Sequence, residues 1–563
     1  MSFQPHLPLI VQSDRSILVE VENPLFDEAR QAISGFAELI KSPEYIHTYR
    51  LTPLSLWNAA ASQLQAEQIL ETLSRYSKYG LPPSVADEVK RAFSRYGLIQ
   101  MHTYEDQIGL TSVDPLILAE VMGYQSMQPY IEEKRSESLY ILKPYSRGLV
   151  KQALIKLGYP VQDLAGYQEG EPCPMELAPC DNTGTPFSLR DYQLAAVDAF
   201  YANGTAYGGS GVLCLPCGAG KTIIGIGTMS RFETATLILT TSTTSVRQWI
   251  NEIITKTTLT ADMVGEYTGE QKEVRPVTVT TYQMVTSRQR GSEEFPHMNL
   301  FTDYNWGLII YDEVHMLPAP IFKMTSSIQA KRRLGLTATL VREDGKEDEV
   351  FSLIGPKKYE MPWKALEAQG WIATALCKEV RLPLPSIYRE AYAFSGTREK
   401  YRLAAENPIK VNWVQKLLRQ HKDDHILIIG QYIKQLELVA NTLGLPLITG
   451  KTPEEDRGRY YEMFKRGEIK QLVISKVANF AVDLPDANVA IQISGTFGSR
   501  QEEAQRLGRI LRPKATNQAY FYTLVSRDTR EQEFASKRQM FLLEQGYHYQ
   551  IIEPDEEPEN LRG

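Results

Sequence analysis

The pattern of apolar and polar positions changes near residue 188. Before it, residues 9–21 hold two short apolar runs around a polar turn, which predict two strands, and an amphipathic segment follows at 24–40. Residues 54–97 place apolar side chains at three- and four-residue spacing, which predicts three short helices. A predicted hairpin follows at 98–113. Such a set is typical either of a winged-helix-like unit that contacts DNA or of a packing and docking module.

From residue 188 onward, short apolar runs alternate with segments of helical periodicity. Runs such as 212–216 and 308–313 are apolar almost throughout, as strands are when helices cover both faces of a parallel sheet. The same rhythm begins again at 426–431, so the sequence predicts two α/β domains. We predict the following divisions: 1–125 as an N-terminal α+β domain, 126–180 as a small α/β unit with a linker, 181–370 and 371–545 as the two parallel-sheet domains, and 546–563 as an acidic tail that we expect to be disordered.

Composition narrows the class of protein only slightly. Hydrophobic residues make up 43% and charged residues 23%, as in soluble globular proteins with packed cores. The net charge of −7 does not indicate a nucleic-acid-binding protein, but it leaves room for a local basic track. Five cysteines are sparse for this length, and Cys173 and Cys180 lack the spacing of zinc ligands, so we expect a reducing compartment and no zinc site.

Targeting signals are not visible in the sequence. The N-terminus has no basic segment followed by an apolar run, and no stretch approaches 18 uninterrupted apolar residues. We therefore expect a cytoplasmic protein without membrane partners, associated with the nucleoid in a prokaryote.

A glycine-rich loop lies between a predicted strand and a predicted helix in the first α/β domain, where residues 212–225 read VLCLPCGAGKTIIG. The backbone amides of such a loop cradle phosphates, Lys221 reaches the β and γ oxygens, and Thr222 binds Mg²⁺. Leu215 stands where the strict P-loop pattern has its first glycine. We predict a nucleotide site whose loop consists of Pro216, Cys217, Gly218, Ala219 and Gly220.

Two adjacent carboxylates end another predicted strand of the same domain. In WGLIIYDEVH, residues 306–315, we expect Asp312 to bind Mg²⁺ and Glu313 to polarise the attacking water. An ordinary acidic strand end is the alternative, but a P-loop earlier in the same domain favours the catalytic interpretation.

A third cluster lies in the second α/β domain. QEEAQRLGRILRP, residues 501–513, places Gln505, Arg509 and Arg512 on one face of a predicted helix. Arginines in this position stabilise the charge that develops on a transferred phosphoryl group. The alternative for this segment is a solvated amphipathic helix.

Together these motifs resemble those of superfamily 2 helicases, and their order narrows the match. FSLRDYQ at 187–193 resembles a Q-motif, in which Arg190 and Gln193 would read adenine. The segments DEVH, LGLTATLVRED, LIGPKKYE, SKV, DLPDANV, QRLGRILR and LVSRDTREQEFASKRQMFLLEQGY are similar to the XPB (xeroderma pigmentosum group B) family of DNA helicases. LPLIVQSDRSILVEV and HTYRLTPLSLWNA resemble the N-terminal region of that family, so the resemblance covers nearly the whole chain.

The resemblance implies two RecA-like parallel-sheet helicase domains behind an N-terminal α+β region. It implies a 3′-to-5′ DNA helicase or translocase that uses ATP and Mg²⁺ and acts in nucleotide excision repair or transcription. The implied partners are double-stranded and forked or single-stranded DNA, with a nuclease or repair and transcription proteins. By the same resemblance, strand separation is assigned to Arg342, Glu343 and Asp344.

Two further groups of residues complete the predicted machinery. Four residues near the carboxylates are expected to pass the nucleotide state to the domain interface: His315, Thr337, Ala338 and Thr339. This chain has Ala478-Asn479 where the family often has Gly-Asp after SKV, which leaves Asp483 as the expected coupling residue of that loop. Loops that track the phosphate backbone are expected at Arg247, Thr281, Tyr282 and Gln283, and Trp249 either joins them or is buried.

Other functions stay open at this point. One is a duplex translocase that does not separate strands. Another is a structural subunit whose nucleotide site only reports occupancy. RNA as the substrate is a weaker third option, because nothing in the motifs reports the 2′-hydroxyl.

Overall fold

The computed structural model of the protein describes most of the chain, in the ranges 3–33, 35–41, 45–61, 64–105, 107–143, 146–165, 170–180, 184–204, 208–288, 296–301, 304–317, 332–338, 350, 354–475, 487–495, 503, 506–508, 510–511 and 518–554. The chain divides into two compact units, the first comprising residues 1–215 and 220–360 and the second residues 216–219 and 361–563. No helix among the described residues is both long enough and apolar enough to cross a membrane.

The first 95 residues form a four-stranded antiparallel sheet with four helices. The strands lie in the order β1-β2-β4-β3, and they are β1 (Leu9–Val11), β2 (Ser16–Glu20), β3 (Glu38–Lys41) and β4 (Ile46–Arg50). The helices are α1 (Phe26–Ile33), α2 (Pro53–Ala61), α3 (Ala66–Tyr76) and α4 (Pro83–Arg95). Pro83 opens α4, where its missing N–H costs no hydrogen bond. The helix α2 reaches the strand that begins at Lys357, where Asn58 Oδ1 accepts a hydrogen bond of 3.4 Å from the Lys357 backbone N–H.

A second sheet of five strands follows, in the order β7-β8-β6-β5-β9. Its elements are β5 (Ile99–Tyr104), β6 (Gln107–Ser112), α5 (Pro115–Gly123), β7 (Ile131–Ser136), β8 (Leu139–Leu142), α6 (Arg147–Lys156) and β9 (Gln162–Asp163). The hairpin that we expected beside the helices, β5 and β6, pairs instead with β8 and β9. The division predicted between residues 125 and 126 therefore crosses this sheet, because local periodicity indicates strands but not their pairing partners.

The first parallel-sheet domain has a seven-stranded sheet in the order β12-β13-β11-β14-β15-β10-β16, with all pairs parallel. The strands are β10 (Ser210–Cys214), β11 (Thr236–Thr240), β12 (Val264–Tyr267), β13 (Val277–Thr281), β14 (Leu308–Asp312), β15 (Arg332–Thr337) and β16 (Lys357–Glu360). The helices are α7 (Asp191–Tyr201), α8 (Lys221–Phe232), α9 (Thr243–Lys256) and α10 (Tyr282–Val285). Because β14, β15 and β10 are neighbours and parallel, the chemistry that follows each of them meets at one edge of the sheet.

The second parallel-sheet domain repeats this design, with the order β19-β20-β18-β21-β22-β17-β23 and all pairs parallel. The strands are β17 (Thr374–Leu382), β18 (Ile426–Gly430), β19 (Leu447–Ile448), β20 (Gln471–Ser475), β21 (Val489–Gln492), β22 (Gln518–Ser526) and β23 (Tyr549–Ile552). The helices are α11 (Trp363–Ala368), α12 (Ser386–Phe394), α13 (Thr397–Ala405), α14 (Ile409–Gln420), α15 (Ile433–Leu443), α16 (Glu454–Lys465) and α17 (Arg530–Glu544).

Two predictions about the architecture can be compared with these sheets. Two parallel-sheet domains behind an N-terminal α+β region are present, so the predicted fold class is confirmed. The expectation that residues 546–563 are disordered does not hold for all of them, since 549–552 form β23 against β17. The acidic residues that prompted the expectation begin only at Glu553, and the preceding YQII has the apolar and aromatic character of a strand.

Candidate active site

The glycine-rich loop joins β10 to α8 and ends in two left-handed backbone positions. Gly218 has φ 85° and Gly220 has φ 75°, conformations that favour glycine strongly over residues with a Cβ. Lys221 is the first residue of α8, so its side chain and the backbone amides of the first turn lie where phosphates bind. Leu215 is buried, and its backbone N–H donates to the Thr337 carbonyl at 3.0 Å. Leu215 therefore continues the strand, which explains why it replaces the first glycine of the strict motif.

The predicted adenine-reading residues lie at the start of α7. Gln193 Oε1 accepts a hydrogen bond of 3.0 Å from the Arg190 backbone N–H, and Arg190 Nη1 donates to the Tyr192 hydroxyl at 3.2 Å. The Gln193 amide also packs on the P-loop, because a Cβ at Gly220 would lie 2.6 Å from Gln193 Nε2. The structure therefore brings Gln193 to the glycine-rich loop.

The two carboxylates follow β14 at the same edge of the sheet. Glu313 has φ 51° and ψ 53°, a left-handed conformation that costs a non-glycine residue about 1 kcal/mol or more. In this conformation Glu313 Oε1 lies 3.2 Å from Lys221 Nζ. The predicted phosphate-binding cation and the predicted general base are therefore paired with each other in this structure.

Asp312, the last residue of β14, is half-buried. Burial raises the pKa of Asp312 to about 6, and the neighbouring charge of Glu313 adds to this effect. The Lys221 ammonium and a hydrogen bond from Trp249 oppose the rise in pKa. A divalent cation would offset the repulsion between the carboxylates, and Asp312 with the Thr222 hydroxyl offers the hard oxygen ligands that Mg²⁺ prefers.

A chain of contacts leads from the carboxylates to the end of β15. His315 Nδ1 lies 2.7 Å from Thr337 Oγ1 and 3.6 Å from Glu313 Oε2. His315, Thr337 and Ala338 are all buried. Two other predicted coupling residues, Thr339 and Asp483, lie outside the described residues.

The residues predicted to track DNA are placed differently from expectation. Arg247 is not in a loop but on α9, where it is exposed and its Nη2 donates to Glu270 Oε2 at 2.6 Å. Thr281 is buried and caps α10 by accepting a hydrogen bond from the Met284 N–H at 3.0 Å. Tyr282 is also buried, so its side chain offers no surface to a nucleic acid.

Gln283 is the exposed member of the 281–283 segment. The physical reason for the difference is that a short helix begins directly after β13. Its side chains at three-residue spacing, Tyr282 and Val285, are buried in the core. The predicted contacts of Arg247 and Gln283 with DNA stay a prediction.

Trp249 is a functional candidate that the sequence left between two interpretations. It is buried on α9, and its indole N–H donates to Asp312 Oδ2 at 3.0 Å. The signal for burial was present in the sequence, because Val246, Trp249 and Ile253 recur at helical spacing and form the inner face of α9.

Of the segment 501–513, which carries the predicted arginine cluster, the structure describes residues 503, 506–508, 510 and 511. Gln505, Arg509 and Arg512 lie outside the described residues, as do Arg342, Glu343 and Asp344. Glu503 and Arg506, from the same stretch of sequence, are both fully buried. Gln492 donates to Glu503 at 2.9 Å, and Arg506 donates to Gln492.

Arg538 Nε lies 3.5 Å from Glu503, on the inner side of the same cluster. The inner face of the segment is therefore fixed to the core of the domain by charged and amide side chains. Sequence reasoning missed these residues because Gln492 and Arg538 come from other parts of the chain than the predicted helix.

Comparison with known families covers most of the chain. The family model described as "ERCC3/RAD25/XPB C-terminal helicase" matches residues 366–562, and "Type III restriction enzyme, res subunit" matches 186–342. The model described as "Helicase conserved C-terminal domain" matches 9–135, which in this chain is the N-terminal region.

Three relatives align along almost the whole chain. The "DNA 3'-5' helicase XPB" of Kineococcus radiotolerans is 51% identical, covering 98% of this chain and 97% of the relative. The protein of the same name from Mycobacterium tuberculosis is 49% identical, covering 98% of both chains. The "General transcription and DNA repair factor IIH helicase/translocase subunit XPB" of Enterocytozoon bieneusi is 34% identical, covering 97% of this chain and 92% of the relative. The chain therefore belongs to the XPB family of DNA 3′-to-5′ helicases.

Proposed function

We propose that this protein hydrolyses ATP at the edge of the first helicase sheet and uses the energy to move along DNA with 3′-to-5′ polarity and separate its strands. The observation that carries the proposal is the convergence of Lys221, Asp312 and Glu313 behind a P-loop with two left-handed glycines. Membership in the XPB family supports DNA as the track and ATP as the fuel.

The arrangement supports a division of labour in hydrolysis. Lys221 binds the β and γ phosphates, and Asp312 and Thr222 hold Mg²⁺, which neutralises charge on those phosphates when it is bound. Arrival of the phosphates separates Lys221 from Glu313 and leaves the Glu313 carboxylate free to act as a base. The water oxygen then bonds to the γ-phosphorus while Glu313 accepts a proton from that water. The bond between the γ-phosphorus and the bridging oxygen breaks, and ADP leaves with that oxygen.

Three further sets of residues belong to the proposal. His315 and Thr337 are hydrogen-bonded to each other next to Glu313, which supports a role in sensing the nucleotide state. Gln505, Arg509 and Arg512 of the second domain are proposed to stabilise the transferred phosphoryl group. Arg342, Glu343 and Asp344 are proposed to act in strand separation.

The biological setting is also part of the proposal. The name of the Enterocytozoon bieneusi relative includes transcription and DNA repair, which supports repair or transcription proteins, or a nuclease, as partners of this chain. The same name includes "helicase/translocase", which keeps a duplex translocase without strand separation as a second candidate. We propose a cytoplasmic, nucleoid-associated location on the sequence grounds given above.

Phosphate release and strand separation, measured on the same preparation, test the proposal. Duplex DNA should stimulate phosphate release from Mg²⁺–ATP, and a partial duplex with a 3′ tail should be unwound while its 5′-tailed counterpart is not. Lys221→Ala should abolish both activities, which controls for a contaminating ATPase. Triplex displacement without unwinding would favour the translocase, and phosphate release that DNA does not change would contradict a DNA motor.

A further inference from the structure

Two buried aromatic side chains donate hydrogen bonds to Asp312. The Trp249 indole N–H donates to Asp312 Oδ2 at 3.0 Å, and the Tyr282 hydroxyl donates to the Asp312 backbone carbonyl at 2.8 Å. The second carboxylate oxygen, Oδ1, accepts from the Glu313 backbone N–H at 3.0 Å. The carbonyl and both carboxylate oxygens of Asp312 therefore each accept a directional hydrogen bond, which fixes the orientation of the carboxylate.

The position of the indole is itself fixed by the P-loop helix. A Cβ at Gly225 would lie 2.5 Å from Trp249 Cη2 and 3.4 Å from Leu336 Cδ1, so only glycine leaves room for the ring at this distance. Gly225 lies four residues after Lys221, on the same face of α8. The indole therefore touches α8 with one end and donates to Asp312 with the other.

These contacts go beyond what packing alone requires. Trp249 is only 1% exposed and Tyr282 only 4%, so each buried polar group needs a hydrogen-bond partner. Both groups find that partner on one residue, Asp312: Trp249 donates to its carboxylate and Tyr282 to its backbone carbonyl. Hydrogen-bond donors behind a metal ligand orient it, and their loss typically weakens metal binding by about 10-fold or more.

We propose that Trp249 and Tyr282 are positioning residues that hold Asp312 in the orientation needed to bind the metal of Mg²⁺–ATP. The inference rests on the proposed function, because it takes Asp312 as the metal carboxylate. It assigns no contact between these aromatic residues and the nucleotide. Loss of either donor therefore weakens metal-dependent binding and leaves metal-free nucleotide binding unchanged.

The test uses the full chain, a non-hydrolysable ATP analogue and Mn²⁺ in place of Mg²⁺. Bound Mn²⁺ is measured by electron paramagnetic resonance, and binding of the analogue in EDTA is measured separately. Trp249→Phe should weaken Mn²⁺ binding about 10-fold. Tyr282→Phe, which removes one oxygen from a buried ring and keeps its shape, should weaken it about threefold, since it acts only through the backbone carbonyl. Neither variant should change binding in EDTA.

Trp306→Phe is the matched control for a purely structural effect. Trp306 is fully buried in the same domain, and its indole N–H donates to the Leu300 carbonyl at 2.7 Å, far from any predicted ligand. Both tryptophan variants lose one ring and one hydrogen bond, so both should lower the melting temperature, but Trp306→Phe should bind Mn²⁺ normally. Equal Mn²⁺ affinity in the Trp249, Tyr282 and Trp306 variants would overturn the inference.

Asp312→Asn separates failure of the inference from failure of the proposed function. If Asp312→Asn removes Mn²⁺ binding and the aromatic variants do not weaken it, only the positioning role is wrong. If Asp312→Asn binds Mn²⁺ as the unchanged protein does, the metal assignment itself fails, and the positioning role fails with it. Should Trp249→Phe not fold, Tyr282→Phe alone decides, because an unchanged Mn²⁺ affinity in that variant contradicts the proposal.

Discussion

Replacing Glu313 with Gln should tighten ATP binding while it abolishes hydrolysis. The reason is the ion pair between Lys221 Nζ and Glu313 Oε1, at 3.2 Å, which the phosphates have to displace. An amide at position 313 still accepts a hydrogen bond from Lys221, but without the attraction of opposite charges. It also removes one negative charge from the neighbourhood of a polyanion, which acts in the same direction.

The size of the effect follows from the burial of the pair. The Lys221 side chain is 11% exposed and that of Glu313 is 21% exposed, so solvent screens their attraction only in part. In the variant the charged ammonium keeps a hydrogen bond to a neutral amide, so the loss is the attraction between opposite charges, which in this partly buried pair somewhat exceeds the roughly 0.2–1 kcal/mol of an exposed pair. This loss, about 1–1.5 kcal/mol, corresponds to an ATP dissociation constant that is about five- to tenfold lower.

Anisotropy of a fluorescent, non-hydrolysable ATP analogue at fixed Mg²⁺ measures this affinity, and phosphate release measures the loss of turnover, expected to be at least about 100-fold. Asp198→Asn is the control, since it removes an exposed pair with Arg231 (2.9 Å) in the same domain and should leave ATP affinity unchanged. An unchanged or weaker affinity in Glu313→Gln would show that the pair does not compete with the phosphates.

Three other outcomes are expected. Burial raises the pKa of Asp163, but Arg147 and Lys151 outweigh it and hold that pKa below its usual range, so Asp163→Asn should cost about 3–5 kcal/mol of unfolding free energy. In urea titrations this cost should be constant near pH 6 and shrink as the pH falls below about 4. A carboxylate whose pKa is lowered by folding stabilises the protein only above the pKa that it has in the unfolded chain, which is about 4. Arg509→Ala should lower kcat in steady-state hydrolysis and leave affinity for the ATP analogue within about twofold. A large loss of affinity with an unchanged kcat would contradict the predicted role of this arginine. Alanine at each of residues 342–344 should reduce unwinding of a forked duplex severalfold, with DNA-stimulated phosphate release kept within about a factor of two; a parallel loss of both would assign the segment to the motor.

Local sequence signals were sufficient to predict the strand, loop and helix around the P-loop of the first domain. The P-loop and the strand that ends at Asp312 are read from contiguous residues, because strand, turn and helix each depend on neighbours in the chain. In a helix of only four residues, such as α10, those signals do not report which side chain points inward. Tyr282 was therefore expected to face DNA, although α10 turns it into the core beneath Asp312.

Pairing between distant segments was the part that the sequence could not predict. The hairpin β5–β6 was recognisable from its apolar pattern, but its neighbours β8 and β9 come from a segment that we placed in another unit. In the same way, YQII at 549–552 is too short to stand out from the acidic residues after it, and only the edge of β17 gives it a partner. Such choices depend on the shape of the assembled sheet and not on the residues nearby.

The strand β17 sets the order in which the two helicase domains can be completed during translation. The first domain has its last strand, β16, at residue 360, so its sheet can close while the second domain is still being synthesised. In the second domain, β17 is made first, but its partners β22 and β23 follow roughly 140 and 170 residues later. Until then both edges of β17 lack their partners on a growing chain, and a product truncated before residue 549 keeps one edge open to aggregation.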